Sequence, residues 1–236
     1  MSLHTLRGTI IRRVLVNYRV DPEVAEAQLP APFTPRLVDG HAIAGVCLIE
    51  LKVRPRWMPK PFAVHSLNAA HRFAVLLPDG DEAVYVPRRD TTSRLGAVAS
   101  DRLFPSSQHL AVGVVEDRGR RLHLDLSSVD ASVRVSVTGS TAPALPADSV
   151  FGALDRASAF FENGALGYAA TGEPDRFDAI ELATETWAVT PFAVDRVESS
   201  YFDDPTRFPP GSITLDNALL MRDIEHTWRA RSSLRC

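Results

Sequence analysis

The sequence predicts an α+β protein: a curled, mostly antiparallel β-sheet with a few short helices, in a single domain over residues 1–236. Three observations predict it. Segments rich in β-branched residues recur along the chain, separated by Gly, Pro, Asp and Asn turn signals. Only 151–163 has the length and pattern of a substantial helix. The proline-rich segments 54–62 and 141–148 are too short to link domains, and 236 residues with 45% hydrophobic and 23% charged content suffice for one sizeable core.

The elements follow in order. TIIRRVLVNYRV (9–20) reads as a strand. DPEVAEAQLP then gives a short helix, with Asp21 as N-cap, Pro22 at the first helical position and Pro30 closing it. AIAGVCLIELKV (42–53) is a buried strand, and RPRWMPKPF (54–62) a loop. AAHRFAVLL (69–77) and EAVYVP (82–87) are strands joined by the turn PDGD. Asp90, Thr91 and Thr92 offer caps for a helix over about 92–103. Residues 109–116 and 121–127 form a hairpin, and ASVRVSVT (131–138) alternates as a half-buried strand does. The 151–163 helix takes Ser149 as its cap and Gly164 as its stop. Strands at about 180–198 and 212–227 complete the sheet, and TWRARSSLRC should fray.

Charge and composition narrow the function. The net charge of −3 and pI of about 6.2 carry no basic balance, which argues against a nucleic-acid partner. No apolar run approaches the ~18 residues of a membrane-spanning helix, and the N-terminus lacks a signal-peptide core. A cytoplasmic protein without a membrane partner is expected. Lysine occurs only at Lys52 and Lys60, so 26 − 2 leaves 24 arginines. Cys47 and Cys236 are not expected to pair, and Cys47 reads as a small buried hydrophobe. Exposed strand edges make a homo-oligomer an expectation.

The chemistry-bearing motifs are few. His65 and His71 are spaced H-x5-H, which fits no zinc motif, and CxxC and HExxH are absent, so no metal is expected. The phosphate-cradling glycine motifs are absent too, and no cofactor is implied. Ser106, Ser107 and His109 are neighbours in sequence, but GxSxG is missing. What remains is a polar cluster at the ends of adjacent strands: Asn68, His71 and Arg72, then Arg88, Arg89, Asp90 and Arg94, then His109. Guanidinium forks bind carboxylates bidentately. The cluster is either a pocket for a small organic acid or a structural ion-pair network in which Asp90 and nearby glutamates satisfy the arginines. In the first case His71 or His109 is the candidate general acid or base. Phe161 and Tyr168 either wall a cavity or pack the helix against the sheet.

RRVLVNYRVDPEVAEAQLPAPFTPRLVDGHAIAGVCLIEL resembles the opening of the acetoacetate decarboxylase-like superfamily. LNAAHRFAV, VPRRDTTSRL, RLFPSSQHLA and SVFGALDRASAFFENGALGY resemble signatures of its YqjF-like family. The resemblance implies a cone-shaped barrel enclosing a cavity. It also implies that a lysine following a Phe-Pro-like turn would form a Schiff base with a keto acid. Here the matching turn is Phe104–Pro105, followed by Ser106 and Ser107, and an alcohol cannot form the iminium. The resemblance therefore implies a ligand-binding cavity without Schiff-base decarboxylase activity. The alternatives are a lysine-dependent decarboxylase or aldolase using Lys52, and a non-catalytic interaction protein whose cavity is filled by its own side chains.

Overall fold

A computed structural model describes residues 5–54, 63–94 and 108–235. The loop expected at 54–62, apart from Arg54, and most of the helix expected at 92–103 lie outside these residues. So do Lys60, the Phe104–Pro105 turn, Ser106 and Ser107. The strands are β1 (Thr5–Val20), β2 (Thr34–Pro35), β3 (Leu37–Val38), β4 (His41–Arg54), β5 (Val64–Leu76), β6 (Glu82–Thr91), β7 (His109–Arg118), β8 (Arg121–Ser128), β9 (Arg134–Thr141), β10 (Leu166–Ala170), β11 (Arg176–Thr184), β12 (Thr190–Ser199) and β13 (Ile213–Arg235). Helix α1 spans Pro22–Glu26 and α2 spans Leu154–Asn163.

All thirteen strands belong to one curled sheet. Its pairings are antiparallel except β6–β7 and β6–β10. The long strands β1, β4, β5 and β13 are its spine. Seven strands close a ring through the pairings β1–β4, β4–β5, β5–β6, β6–β10, β10–β11, β11–β13 and β13–β1. Four more, β7-β8-β9-β12, arch from β6 back to β13 on the other side, and the short β2 and β3 pair with β5 and β4.

Two apolar clusters follow from the alternation of side chains along the spine. Val14 and Val16 of β1, Val46 and Leu48 of β4, and Phe73 and Val75 of β5 point into the larger cluster, which the β7–β9 arch covers. Leu15, Cys47, Ile49 and Leu51 point the other way, toward α2, where Ala157, Phe160 and Phe161 complete a second cluster.

Several expectations need correction. The segment 180–198 is two strands, not one: β11 pairs with β10 and β12 with β9, each meeting a different stretch of β13, and the chain leaves the sheet between them at Trp187, whose indole N–H donates to Ser158 Oγ at 2.9 Å. Strand β10 (LGYAA) is not among the expected strands, because its glycine and alanines carry little β propensity. Ser149 does not cap α2: Ala153 holds that position, and Ser149 Oγ donates to Asp216 Oδ2 at 2.7 Å. Asp21 occupies the N-cap position of α1 but makes no side-chain cap bond. The C-terminal segment is not frayed, since β13 stays paired with β11 as far as Arg235. Among the described residues no helix is long and apolar enough to cross a membrane.

Candidate functional site

The seven-stranded ring encloses a cavity of about 390 Å³. Each strand of the ring contributes to the wall, as do Phe161 of α2 and Trp187. Most of the lining is aliphatic or aromatic. Against that background stand three guanidinium groups: Arg13 on β1, Arg72 on β5 and Arg89 on β6.

A bulge decides which arginines face the cavity. His71 pairs with Arg88 and Phe73 with Tyr85, so Val86 and Pro87 together oppose the single residue Arg72. Proline lacks the N–H that a regular ladder needs, and bulges are where a strand tolerates it. The extra residue also reverses the alternation of β6. Before it, Val84 and Val86 line the cavity; after it, Arg89 and Thr91 do. Arg88 is turned away and binds Asp90, with Nη2–Oδ1 at 2.8 Å, and Asp130 at 3.2 Å. His109 Nδ1 lies 3.2 Å from the same Asp130.

Arg72 is only 6% exposed, yet no carboxylate pairs with it among the described residues. One Nη donates to Asn17 Oδ1 at 2.5 Å, the guanidinium carbon lies 4.9 Å from the Phe161 ring centre, and Nε has no partner among the described residues. Gly45 lies between Asn17 and Arg72 across the strands. A Cβ there would crowd the Val16 carbonyl and approach Asn17 Oδ1 to 3.3 Å. The Asn17 amide is oriented from behind: its Nδ2 donates to Asn217 Oδ1 at 2.8 Å, and Asn217 Nδ2 donates to the buried Asp216 carboxylate at 2.6 Å. Arg72 therefore meets a neutral acceptor, and the nearest anion in this chain of bonds lies two residues further on. Burial lowers Arg72 to about 10; Cys47 opposes that shift and Arg13 adds to it. Burial likewise lowers Arg89 to about 10, with Asp178 opposing. For Arg72, whose described acceptor is a neutral amide, the shift goes with guanidinium charge held in a low-dielectric site.

The cluster expected from sequence thus divides. Asn68, Arg72, Arg89, Asp90 and Phe161 line the cavity. Asn68 is fixed by Thr91, whose hydroxyl donates to its Oδ1 at 2.6 Å. Arg88, Asp90, Asp130 and His109 form an ion-pair network, whereas Arg72 and Arg89 lie on the cavity wall. Arg94 is exposed and outside the cavity wall. Tyr168 packs on Phe33 in the larger core. His71 faces that core as well, against Tyr201 at 4.7 Å, with Ser199 Oγ 3.5 Å from its Nε2. No described histidine or lysine lines the cavity, and Lys52 is exposed, between the lining residues Leu51 and Val53.

Sequence reasoning missed Arg13 and Cys47. Both sat in apolar strands with no motif around them, and only the pairing of β1 with β4 brings them together. Arg13 Nε donates to Cys47 Sγ at 3.1 Å, and its Nη1 lies 4.0 Å from Met221 Sδ.

The chain matches the family model DUF2071, described as an uncharacterized conserved protein (COG2071), over residues 9–213, and belongs to that family. No curated protein gives a match. Among solved structures it is similar to the enduracididine biosynthesis enzyme MppR, complexed with the condensation product of pyruvate and imidazole 4-carboxaldehyde. That match has 14% identity and a TM-score of 0.65 over 100% of this chain and 90% of that one. It is also similar to acetoacetate decarboxylase from Legionella pneumophila subsp. pneumophila str. Philadelphia 1, with 11% identity and a TM-score of 0.62 over 98% and 88%. A third similarity is to an acetoacetate decarboxylase-like enzyme from Sphingomonas wittichii RW1, with 12% identity and a TM-score of 0.61 over 100% and 94%. The fold is therefore that of the acetoacetate decarboxylase-like proteins, as the sequence motifs implied.

Proposed function

We propose that this member of the DUF2071 family binds a small organic acid in its ring cavity, without Schiff-base chemistry. The carboxylate sits on Arg72, with Arg13 and Arg89 in the same wall, and the apolar body lies against Phe161, Trp187 and Trp228. The observation that carries the reading is Arg72: a buried guanidinium on the cavity wall with a neutral acceptor on one nitrogen and, among the described residues, none on Nε. An uncompensated buried charge is costly, and an anionic ligand supplies the missing acceptor. MppR, of like fold, is complexed with a product derived from pyruvate, which is in keeping with an acid in this position. The absence of a lysine from the described wall, with Lys52 exposed, weighs against the lysine-dependent alternative. The open volume weighs against a self-filled interaction protein.

A thermal-shift screen of small carboxylic, keto and aromatic acids tests this, with Arg72→Met beside the wild type. A ligand at about 100 times its Kd stabilises by about 2.7 kcal/mol. At roughly 2–4 °C per kcal/mol for a chain of this size, the shift is roughly 5–11 °C. The shift should vanish in folded Arg72→Met. A shift that persists in that variant, or no shift with any acid, overturns the reading.

A further inference from the structure

We infer that Cys47 is a nucleophilic thiol for carboxylates whose carbon next to the carboxyl group is electrophilic, the class that includes 2-oxo and 2-halo acids. This rests on the acid-binding reading and adds a covalent step to it. On β4, Cys47 stands opposite Leu15 of β1 and Ala70 of β5. Arg13 and Arg72 are its diagonal neighbours, two residues further along those strands. All five residues line the cavity. The thiol is thus flanked by guanidinium groups from both sides, with Arg13 Nε 3.1 Å from the sulfur. The second observation that points to a ligand is Arg72 Nε, which has no partner among the described residues and is buried in the same wall.

The juxtaposition has a chemical consequence. The thiolate is the nucleophilic form of cysteine, and reactive cysteines occupy electropositive surroundings. A carboxylate held by the guanidiniums brings its neighbouring carbon to the sulfur, because the sulfur and the anion share Arg13. With a 2-oxo acid, the S–C bond forms at the carbonyl carbon, the C=O π bond opens, and the oxygen takes the thiol's proton to give a thiohemiketal. With a 2-halo acid, the S–C bond forms as the carbon–halogen bond breaks; halide leaves with the electron pair and the proton goes to solvent. Neither step needs an oxidant, a reductant or a cofactor.

The test compares iodoacetate with iodoacetamide on the full chain carrying Cys236→Ser, which leaves Cys47 as the single thiol. Labelling is followed by mass spectrometry, and the acid thermal-shift assay is run on the same protein. A cleft with an excess of positive charge on its wall, here three guanidinium groups against Asp90, raises the local concentration of anions and their association rates by about 10-fold or more. Iodoacetate should therefore label Cys47 roughly tenfold faster than iodoacetamide. That preference should fall away in Arg72→Met and in the separate Arg13→Gln variant, and with rising salt. Cys47→Ser should abolish the label while keeping the acid-induced thermal shift. If acids shift the melting temperature but Cys47 shows no preference for iodoacetate, the nucleophile proposal fails and acid binding stands. If iodoacetamide labels as fast as iodoacetate and no acid shifts the melting temperature, both fail.

Discussion

His71 and Arg72 are consecutive on β5 and face opposite sides of the sheet. On the His71 side the space is full: Tyr201, Phe202, Phe208 and Phe73 pack ring to ring, and the imidazole is completely buried among them. On the Arg72 side the ring of strands stays open around a cavity with guanidinium groups on its wall. The filled side tolerates its polar residue by keeping it neutral, since burial lowers His71 to about 3, with Arg88 and Arg207 adding to the shift. The open side cannot do that, because a guanidinium stays charged even at a pKa of about 10. A buried group that can shed its charge makes core, whereas one that cannot marks where a counter-ion is wanted.

The strongest test of this contrast is a pair of truncations. Phe73→Ala, in the filled core, should cost about 3–5 kcal/mol in urea denaturation. Leu51→Ala, on the cavity wall, should lie near the lower limit for such changes, about 2 kcal/mol, because its methyls already border open space. Equal losses would mean that the two sides are packed alike.

The arginines come next. Arg88→Met removes the cation paired with the buried Asp90 and should destabilise by about 3 kcal/mol while leaving acid binding intact. Arg72→Met should cost less, since its described partner is a neutral amide, and should abolish binding. The reverse ranking would place the functional cation in the ion-pair network.

A smaller effect is expected from pH. His71 is lowered to about 3 and His226 to about 4, in each case chiefly by burial. Both lie below the unfolded value of 6.5, so the unfolded chain takes up more protons as the pH falls. Stability should therefore be full above pH 6.5 and decline toward pH 3–4, by up to about 1.4 kcal/mol per pH unit for each histidine. In His71→Gln about half of that slope should disappear; an unchanged slope would show that His71 does not titrate between the two states. The smallest effect belongs to Lys52→Ala. It should change stability by no more than about 0.5 kcal/mol, and borohydride with a keto acid should trap no adduct on Lys52. A trapped adduct would revive the lysine-dependent reading.

The legible parts of the fold were those written in local pattern. Strand β1 showed as a β-branched run, PDGD as a turn, and FGALDRASAFFEN as a helix whose buried residues are Ala157, Phe160 and Phe161. What stayed illegible depended on distant partners. YVP looked like a strand ending at Pro87, but β6 runs on to Thr91 through a bulge. LGYAA has one strand-forming residue, Tyr168, among small ones, and becomes a strand between β6 and β11. In the site, the arginine run announced itself, while Arg13 and Cys47 did not: an arginine in one apolar strand and a cysteine in another carry no signal until the strands are paired.

By itself the sequence determined a strand-rich, mostly antiparallel protein, poor in lysine and rich in arginine. Those properties follow from side-chain periodicity and composition, which act over a few residues. It placed the polar residues at strand ends, whereas Asn68, His71 and Arg72 lie within β5 and Arg88, Arg89 and Asp90 within β6, because both strands extend further than their apolar runs. Tertiary structure alone decided that Arg72 and Arg89 face a cavity while Arg88 pairs with Asp90, because a one-residue bulge at Pro87 reverses every side chain that follows it. The closing of seven strands into a ring likewise set Arg13, Cys47 and Arg72 side by side, since lateral register is fixed by the partner strand and not by the neighbours in sequence.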